Sequence, residues 1–260
     1  MFIQAGEHLI HAVSFGKGDT PFVAHGGWTG SWELWEQQFD VLSQERRCIA
    51  IDHLGSGESP IPAGESITLE MLVEDLKNVL DKLNVDKCIL AGESSGTKAV
   101  LLFALLYPER VKGLVLVDGF ASALPESSYQ GSIDSINKDY HAYLNGFVSA
   151  CLPDTPAHLK RWGNNILKQS SKEDAIALMR LNSTVDLTER LAEINVPTLI
   201  IHGKKDVIIP LAASEQMAHL IPNSTLLVIP DSGHVPTISH PDEVVSEIQK
   251  FIGANLCVNN

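Results

Sequence analysis

Basic side chains are scarce in this 260-residue sequence. It has 19 lysines and arginines against 32 aspartates and glutamates, so its formal net charge is -13 at pH 7. A negative surface repels phosphate backbones and anionic lipid headgroups, which their binding proteins attract with clusters of positive charge. The composition therefore predicts that neither nucleic acid nor a membrane surface is a partner.

Cysteine is also scarce, and the cysteines are far apart. Cys48, Cys88, Cys151 and Cys257 form no C-x-x-C pair, and two of them lie inside apolar runs. This spacing predicts buried free thiols rather than a disulfide framework, and free thiols suit a reducing compartment.

Long apolar runs are absent as well. The longest uninterrupted run, residues 99–107, is much shorter than the roughly 20 residues that span a bilayer. Residues 1–7 contain no basic segment before an apolar stretch, so they do not have the pattern of a signal peptide. We expect a soluble, cytoplasmic protein.

Short apolar runs bounded by turn residues recur at 21–24, 48–51, 88–91, 114–117, 198–201 and 225–229. Such runs are typical of strands that are buried on both faces of a sheet. Amphipathic segments follow at 69–83, 211–221 and 242–252. The alternation predicts an α/β fold with a mostly parallel central sheet flanked by helices. Residues 1–16 have no helical spacer and should form antiparallel strands at one edge.

Residues 121–190 interrupt this alternation and are too long for a connecting loop in a compact domain. Apolar and aromatic side chains recur within this stretch at helical spacing: Tyr140, Tyr143, Leu144 and Phe147, then Leu159, Trp162, Ile166 and Leu167. We predict a helical cap over residues 121–190, inserted into one core domain of residues 1–120 and 191–260.

The most informative motif is Gly92-Glu93-Ser94-Ser95-Gly96, a G-x-S-x-G pattern. It lies between the strand-like run 88–91 and a helix-like run at 98–106. In this setting, two glycines allow a sharp turn that exposes the serine hydroxyl. Ser94 is the predicted nucleophile.

A nucleophilic serine needs a base to take its proton and an acid to orient that base. His234 follows the last apolar run within a glycine-containing turn, and Asp206 follows the preceding run. Both would emerge at the carboxyl edge of a parallel sheet, in the chain order Ser, Asp, His that accompanies a nucleophile elbow. We predict that His234 is the base and Asp206 the acid.

Other residues compete for these two roles. Asp118 ends the run 114–117 and would project at the same edge, so it is an alternative to Asp206. The histidines that compete with His234 do not follow the last strand in a glycine-containing turn. They are His202, His219 and His240.

Attack on a carbonyl group creates an oxyanion, which needs preorganised N–H donors. The residue after the nucleophile, Ser95, supplies one such donor. The second should come from the loop after an earlier strand, where His25-Gly26-Gly27-Trp28 stands. We predict Gly27 as this second donor, with Trp28 as the alternative.

These segments resemble the α/β-hydrolase superfamily, in its branch of small serine hydrolases with a helical cap. The resemblance covers nearly the full length and rests on segments in the family's order: His25-Gly26-Gly27, Asp52-His53-Leu54-Gly55-Ser56-Gly57-Glu58-Ser59, Gly92-Glu93-Ser94-Ser95-Gly96, and those around Asp206 and His234. It implies a cofactor-independent serine hydrolase that cleaves a small or medium carboxylic ester or lactone through an acyl-enzyme intermediate.

Departures from the family pattern narrow this expectation. Relatives that hydrolyse epoxides or haloalkanes have an aspartate where Ser94 stands, which argues against both activities. The proline iminopeptidase branch usually has a proline where Trp28 stands. Glu93 replaces the histidine or tryptophan often found beside the nucleophile.

Several apolar side chains are candidates for lining the substrate pocket: Trp28, Phe120, Tyr140, Tyr143, Phe147, Trp162 and Val235. Packing of the cap against the sheet explains each of the aromatic ones, taken alone, at least as well. Arg161 and Arg180 are candidate clamps for a substrate carboxylate, although solvated surface arginines are the simpler interpretation.

Two other functions remain open for the same fold. The machinery would also suit hydrolysis of a carbon–carbon bond beside a ketone, as in relatives that cleave ring-fission products, and a cap arginine near the pocket would favour it. A ligand-sensing protein that signals through a partner is the alternative from another class. No cluster of histidines and carboxylates has metal-ligand spacing. We expect no metal and no cofactor, a small-molecule partner, and a monomer or homodimer.

Overall fold

An eight-stranded sheet forms the centre of the computed structural model, which describes residues 1–256. Its strands are β1 Phe2–Ala5, β2 His8–Phe15, β3 Phe22–His25, β4 Cys48–Asp52, β5 Cys88–Glu93, β6 Val111–Val117, β7 Thr198–Gly203 and β8 Ser224–Ile229. The strand order is β1-β2-β4-β3-β5-β6-β7-β8. β1, β2 and β4 pair antiparallel, and every pair from β4 to β8 is parallel.

The sheet confirms the α/β fold with a mostly parallel centre and an antiparallel edge. The apolar runs in the sequence coincide with strands β3 to β8, although β6 begins three residues before the run at 114–117. Lys112 in this extension is exposed and Gly113 has no side chain, so the apolar pattern is interrupted there.

Helices flank the sheet. They are α1 Glu36–Leu42, α2 Leu69–Lys82, α3 Gly96–Leu106, α4 Ser127–Lys138, α5 Tyr140–Cys151, α6 Ala157–Leu167, α7 Lys172–Leu181, α8 Leu211–Leu220, α9 Pro236–Ser239 and α10 Pro241–Asn255. Short 3₁₀ helices occupy Trp32–Trp35, Pro108–Arg110 and Thr188–Glu193.

The sequence of α2 shows how these helices form and dock. The Thr68 hydroxyl accepts a hydrogen bond from the Met71 N–H at 3.2 Å, which caps the first turn. Leu72, Leu76 and Leu80 repeat every four residues and are buried against the sheet layer. Apolar spacing and a capping residue therefore fix this helix from local sequence.

Four helices, α4 to α7, lie between β6 and β7, and we call them the inserted helices. The helical spacing in residues 140–147 and 159–167 falls within α5 and α6. The serine-rich α4 and the shorter α7 have no such clear pattern in the sequence. The division of the chain into a core and a cap stays a prediction.

The cysteines within the described residues are free. Cys48, Cys88 and Cys151 are all buried, as predicted. Cys257 lies outside the described residues.

Two helical glycines give contrasting predictions for stability. A Cβ atom on Gly96 would lie 2.3 Å from the Gly26 carbonyl oxygen, whereas a Cβ on Gly146 would meet nothing within 4 Å. We expect Gly96→Ala to lower the free energy of unfolding by about 3 kcal/mol or more. Gly146→Ala should raise it by about 0.5–1 kcal/mol, because alanine has the higher helix propensity. Urea denaturation measures both, and equal effects would contradict the packing described for Gly96.

Candidate active site

Ser94 lies in a sharp turn between β5 and α3. Its φ is +51°, in the left-handed region that residues other than glycine rarely adopt. The Ser94 N–H donates to the Val117 carbonyl at 2.8 Å, and the Thr97 hydroxyl donates to the Ser94 carbonyl at 2.6 Å. A strained residue of this kind costs about 1–3 kcal/mol and persists only where its surroundings hold it.

The glycines of the motif are required by close contacts around this turn. A Cβ atom on Gly92 would lie 2.7 Å from Val100 Cγ2 and 2.8 Å from the Gly96 carbonyl oxygen. Real Cβ atoms almost never approach other atoms so closely. The G-x-S-x-G spacing therefore reflects the packing of the turn against α3.

His234 reaches Ser94 from the loop after β8. Its Nε2 atom is 2.9 Å from the Ser94 hydroxyl oxygen, and its side chain is 4% exposed. The His234 N–H donates to the Cys151 carbonyl at 2.8 Å, so the loop is fixed to the end of α5. Because this anchor is a backbone contact, no sequence motif reveals it.

Asp206 completes a chain of hydrogen bonds with Ser94 and His234. Its Oδ2 atom is 2.7 Å from His234 Nδ1, and the carboxyl is fully buried. Its Oδ1 atom accepts from the N–H groups of Ile208 and Ile209 at 2.7 and 3.0 Å. With a proton on Nδ1, His234 donates to Asp206 and accepts the Ser94 hydroxyl proton at Nε2.

Asp118, the alternative acid, has other partners in the structure. Its Oδ1 atom accepts from the Gly203 N–H at 2.8 Å, and its Oδ2 atom has no partner among residues 1–256. Burial, followed by the nearby Asp206 carboxylate, raises the pKa of Asp118 well above its ordinary value. Asp118 is therefore close to this chain of hydrogen bonds without being part of it.

The competing histidines have partners other than Ser94 or lie on another helix. His202 is buried under Asp206, where its Nδ1 pairs with the Ser214 hydroxyl at 2.8 Å and its Nε2 with the Ile209 carbonyl at 3.1 Å. His219 is on α8, and His240 Nδ1 pairs with the Ser239 hydroxyl at 2.9 Å.

The loop after β3 brings backbone N–H groups close to Ser94. A Cβ atom on Gly27 would lie 2.7 Å from Ser94 Cβ, so only glycine allows this approach. The Trp28 N–H already donates to the Ser95 hydroxyl at 2.6 Å. The N–H groups of Gly27 and Ser95 have no protein acceptor within the described part of the chain. This difference favours Gly27 over Trp28 as an anion donor.

Two cavities meet at Ser94. The smaller one, about 50 Å³, lies beside Gly27, Glu93 and His234 and has otherwise mainly apolar walls. The larger one, about 810 Å³, opens on the side of Ser95. Trp28 and Phe147 line both cavities, as Ser94 does, so these residues lie where the two cavities meet.

Five of the predicted pocket residues line one or both of these cavities. Trp28 and Phe147 line both cavities, Val235 lines the small one, and Phe120 and Tyr143 line the large one.

Tyr140 and Trp162 line neither cavity, and this corrects the sequence prediction. The Tyr140 hydroxyl faces the carbonyls of Leu167 and Ser170 at 3.4 and 3.3 Å, which ties α5 to α6. Trp162 is half-buried on α6, where it packs against the core. Helical spacing identifies the packed side of a helix but not the cavity that this side faces.

The large cavity contains polar residues that sequence reasoning did not identify: Ser122, Ser128, Tyr129, Ser132, Asn182 and Gln216. In the sequence, the only indication of these polar residues was the serine-rich segment that forms α4. Arg161 and Arg180 are exposed and line neither cavity, and no lysine or arginine of residues 1–256 does.

One group of three side chains in residues 1–256 has the spacing of metal ligands: Asp118, Asp206 and His234. Two of them already form the direct 2.7 Å hydrogen bond between Asp206 and His234. The third, Asp118, accepts a backbone N–H. Each of the three side chains therefore already has a hydrogen-bond partner in the protein.

The sequence and the site together identify the family. Residues 20–159 and 156–241 match the family described as alpha/beta hydrolase fold, and the chain belongs to it. It is 30% identical to a 2-hydroxy-6-oxo-2,4-heptadienoate hydrolase of Pseudomonas putida, over 95% of this chain and 93% of the relative. It is 28% identical to a pimeloyl-[acyl-carrier protein] methyl ester esterase of Nitrosomonas europaea, over 91% and 97%.

Solved structures agree with this assignment. An esterase from Exiguobacterium antarcticum superposes with a TM-score of 0.91 at 26% identity, over 97% of this chain and 98% of the other. Family and relatives support hydrolase activity. Within residues 1–256, no helix is long and apolar enough to cross a membrane.

The geometry predicts that a fluorophosphonate modifies Ser94 once, with loss of fluoride. Ser94→Ala should give no adduct by intact mass spectrometry. Asp206→Asn should slow labelling by about 10³–10⁴-fold, because the amide no longer holds His234 in the required tautomer.

Asp118→Asn is the matched control, since Asp118 is a buried carboxyl that forms no hydrogen bond with His234. We expect its labelling rate to stay within about tenfold of the wild type. An equal loss of labelling rate in Asp206→Asn and Asp118→Asn would contradict the assignment of Asp206 as the acid that orients His234.

Proposed function

We propose that the protein is a serine hydrolase that cleaves a short carboxylic ester or a lactone through an acyl-enzyme intermediate. The observation that carries the proposal is the unbroken chain of hydrogen bonds from Ser94 through His234 to Asp206, with distances of 2.9 and 2.7 Å. Its serine end borders two cavities that can hold the two halves of an ester.

The roles follow from the donors and acceptors. Ser94 attacks the carbonyl carbon while His234 Nε2 takes the hydroxyl proton, and Asp206 stabilises the resulting imidazolium. His234 then returns the proton to the leaving alcohol as the carbon–oxygen bond breaks. A water molecule, deprotonated by His234, attacks the acyl-enzyme and releases the acid and Ser94.

The N–H groups of Gly27 and Ser95 are proposed to stabilise the oxyanion. Their lack of protein acceptors in the described chain and the close approach of Gly27 to Ser94 support this role. Donors fixed in the backbone need no reorganisation as negative charge develops, and losing one typically costs about 10²–10³-fold in rate.

The inserted helices are proposed to act as a cap. Phe147 and Val148 of α5 and Leu152 directly after it line the small cavity, while Ser128 and Ser132 of α4 line the large one. Residues of these helices thus contribute walls to both sides of the substrate site, where sequence changes would alter specificity without touching Ser94.

The charge of the cavities supports a neutral substrate. No lysine or arginine of residues 1–256 lines either cavity, whereas the large cavity carries hydroxyl and amide groups. Such groups can bind a polar uncharged leaving group, but a carboxylate would remain without a counter-charge.

Carbon–carbon bond hydrolysis is the second candidate, because of the Pseudomonas putida relative. The name of that relative's substrate contains no ester or amide, so its hydrolysis implies cleavage of a carbon–carbon bond. Its substrate is also a carboxylate. Among residues 1–256, no lysine or arginine lines either cavity, and this favours the ester or lactone.

Hydrolysis of p-nitrophenyl esters with increasing acyl length tests the proposal. We expect efficient turnover from acetate to butyrate and a fall of about tenfold or more in kcat/KM for octanoate, because each misplaced methylene group costs about 1–3 kcal/mol. Turnover of every ester should disappear in Ser94→Ala.

Two results would contradict this account. Turnover that persists in Ser94→Ala would exclude the serine mechanism, and octanoate turnover equal to that of butyrate would exclude the small cavity as the acyl site.

A further inference from the structure

One carboxyl side chain in the small cavity has no role in the proposed mechanism. Glu93 lines this cavity beside Ser94 and His234. The residue is 2% exposed, and its Oε2 atom has no hydrogen-bond partner among residues 1–256. A buried polar atom without a partner costs about 1–3 kcal/mol, so a partner supplied by the substrate would offset that cost.

The surroundings of Glu93 favour the neutral form of its carboxyl. The titratable groups near it are Asp206, Asp118, His234 and the Cys151 thiol. Burial and, next, the Asp206 carboxylate raise the pKa of Glu93 to about 8. No lysine or arginine of the described chain lines the cavity to offer a counter-charge. At neutral pH the carboxyl can therefore donate a hydrogen bond.

The size of the cavity limits what can receive that bond. Its volume of about 50 Å³ is well below the roughly 150 Å³ of an engineered cavity that binds benzene. A nitrophenyl ring cannot enter, but an acyl chain of a few atoms can. Its other walls are mainly apolar, including Leu34, Val148 and Leu152.

We propose that Glu93 is a specificity-determining residue whose carboxyl donates a hydrogen bond to an oxygen atom on a short acyl group in the small cavity. The inference rests on the proposed function, since it takes the acyl half of an ester or lactone as the occupant. The substrate class is then short acyl groups that carry an ether, hydroxyl or keto oxygen near the carbonyl carbon.

A pair of isosteric substrates tests this preference. p-Nitrophenyl methoxyacetate and p-nitrophenyl butyrate have acyl chains of equal length, which differ by one oxygen in place of a methylene group. The quantity to measure is the ratio of their kcat/KM values in the wild type and in each variant. Comparing ratios between proteins removes the difference in intrinsic reactivity between the two esters.

Glu93→Met removes the donor at similar volume, and we expect the methoxyacetate-to-butyrate ratio to fall about tenfold. Glu93→Gln keeps an N–H donor and should retain the ratio within about threefold. A ratio in Glu93→Met equal to that of the wild type would overturn the inference.

The pH dependence provides a second test that does not need Glu93→Met to fold. Between about pH 6.5 and about pH 9.5 the wild-type carboxyl ionises and can only accept hydrogen bonds, so the ratio should fall about tenfold. The ratio in Glu93→Gln should not change over this range. A wild-type ratio that stays constant would overturn the inference.

The butyrate control separates this inference from the proposed function. Butyrate turnover that requires Ser94, combined with a ratio unaffected by Glu93→Met and by pH, refutes only the role of Glu93. Turnover of neither ester by the wild type, or equal turnover by Ser94→Ala, refutes both.

Discussion

The hydrogen bond between Ser94 Oγ and His234 Nε2 is the contact on which the rest of the site depends. It joins residues 140 positions apart in the sequence, over a distance of 2.9 Å. No local structure can produce such a contact. It requires the parallel sheet, which brings the carboxyl ends of β5, β7 and β8 to one edge and so places Ser94, Asp206 and His234 side by side.

Backbone packing sets the position of the serine within that arrangement. Ser94 has φ of +51°, and glycines on both sides allow α3 and the loop after β3 to approach closely. The same approach brings the Gly27 N–H near the serine. The strain of the turn and the proposed oxyanion donors are therefore two consequences of one tight contact between loops. Glu93, next to the serine, is carried into a buried position by the same turn.

Much of this site could be predicted from sequence because its residues lie in short local patterns. The G-x-S-x-G motif, the apolar runs before Asp206 and His234, and the His25-Gly26-Gly27 segment each depend on neighbouring residues. The pocket could not be predicted in the same way. Tyr140 has the helical spacing of a buried residue, but its hydroxyl faces carbonyls of Leu167 and Ser170 instead of a cavity. Which side of an inserted helix meets the substrate depends on how the helices pack together, and this is a long-range property.

The central claim is that Ser94 and His234 act as one catalytic unit, and a double-mutant cycle tests it most directly. The measurement is kcat for p-nitrophenyl acetate in the wild type, Ser94→Ala, His234→Ala and the double variant. The account predicts that each single variant loses about 10⁶-fold and that the double variant is no more than about threefold slower than either. Losses that multiply in the double variant, or single variants that retain wild-type turnover, would contradict it.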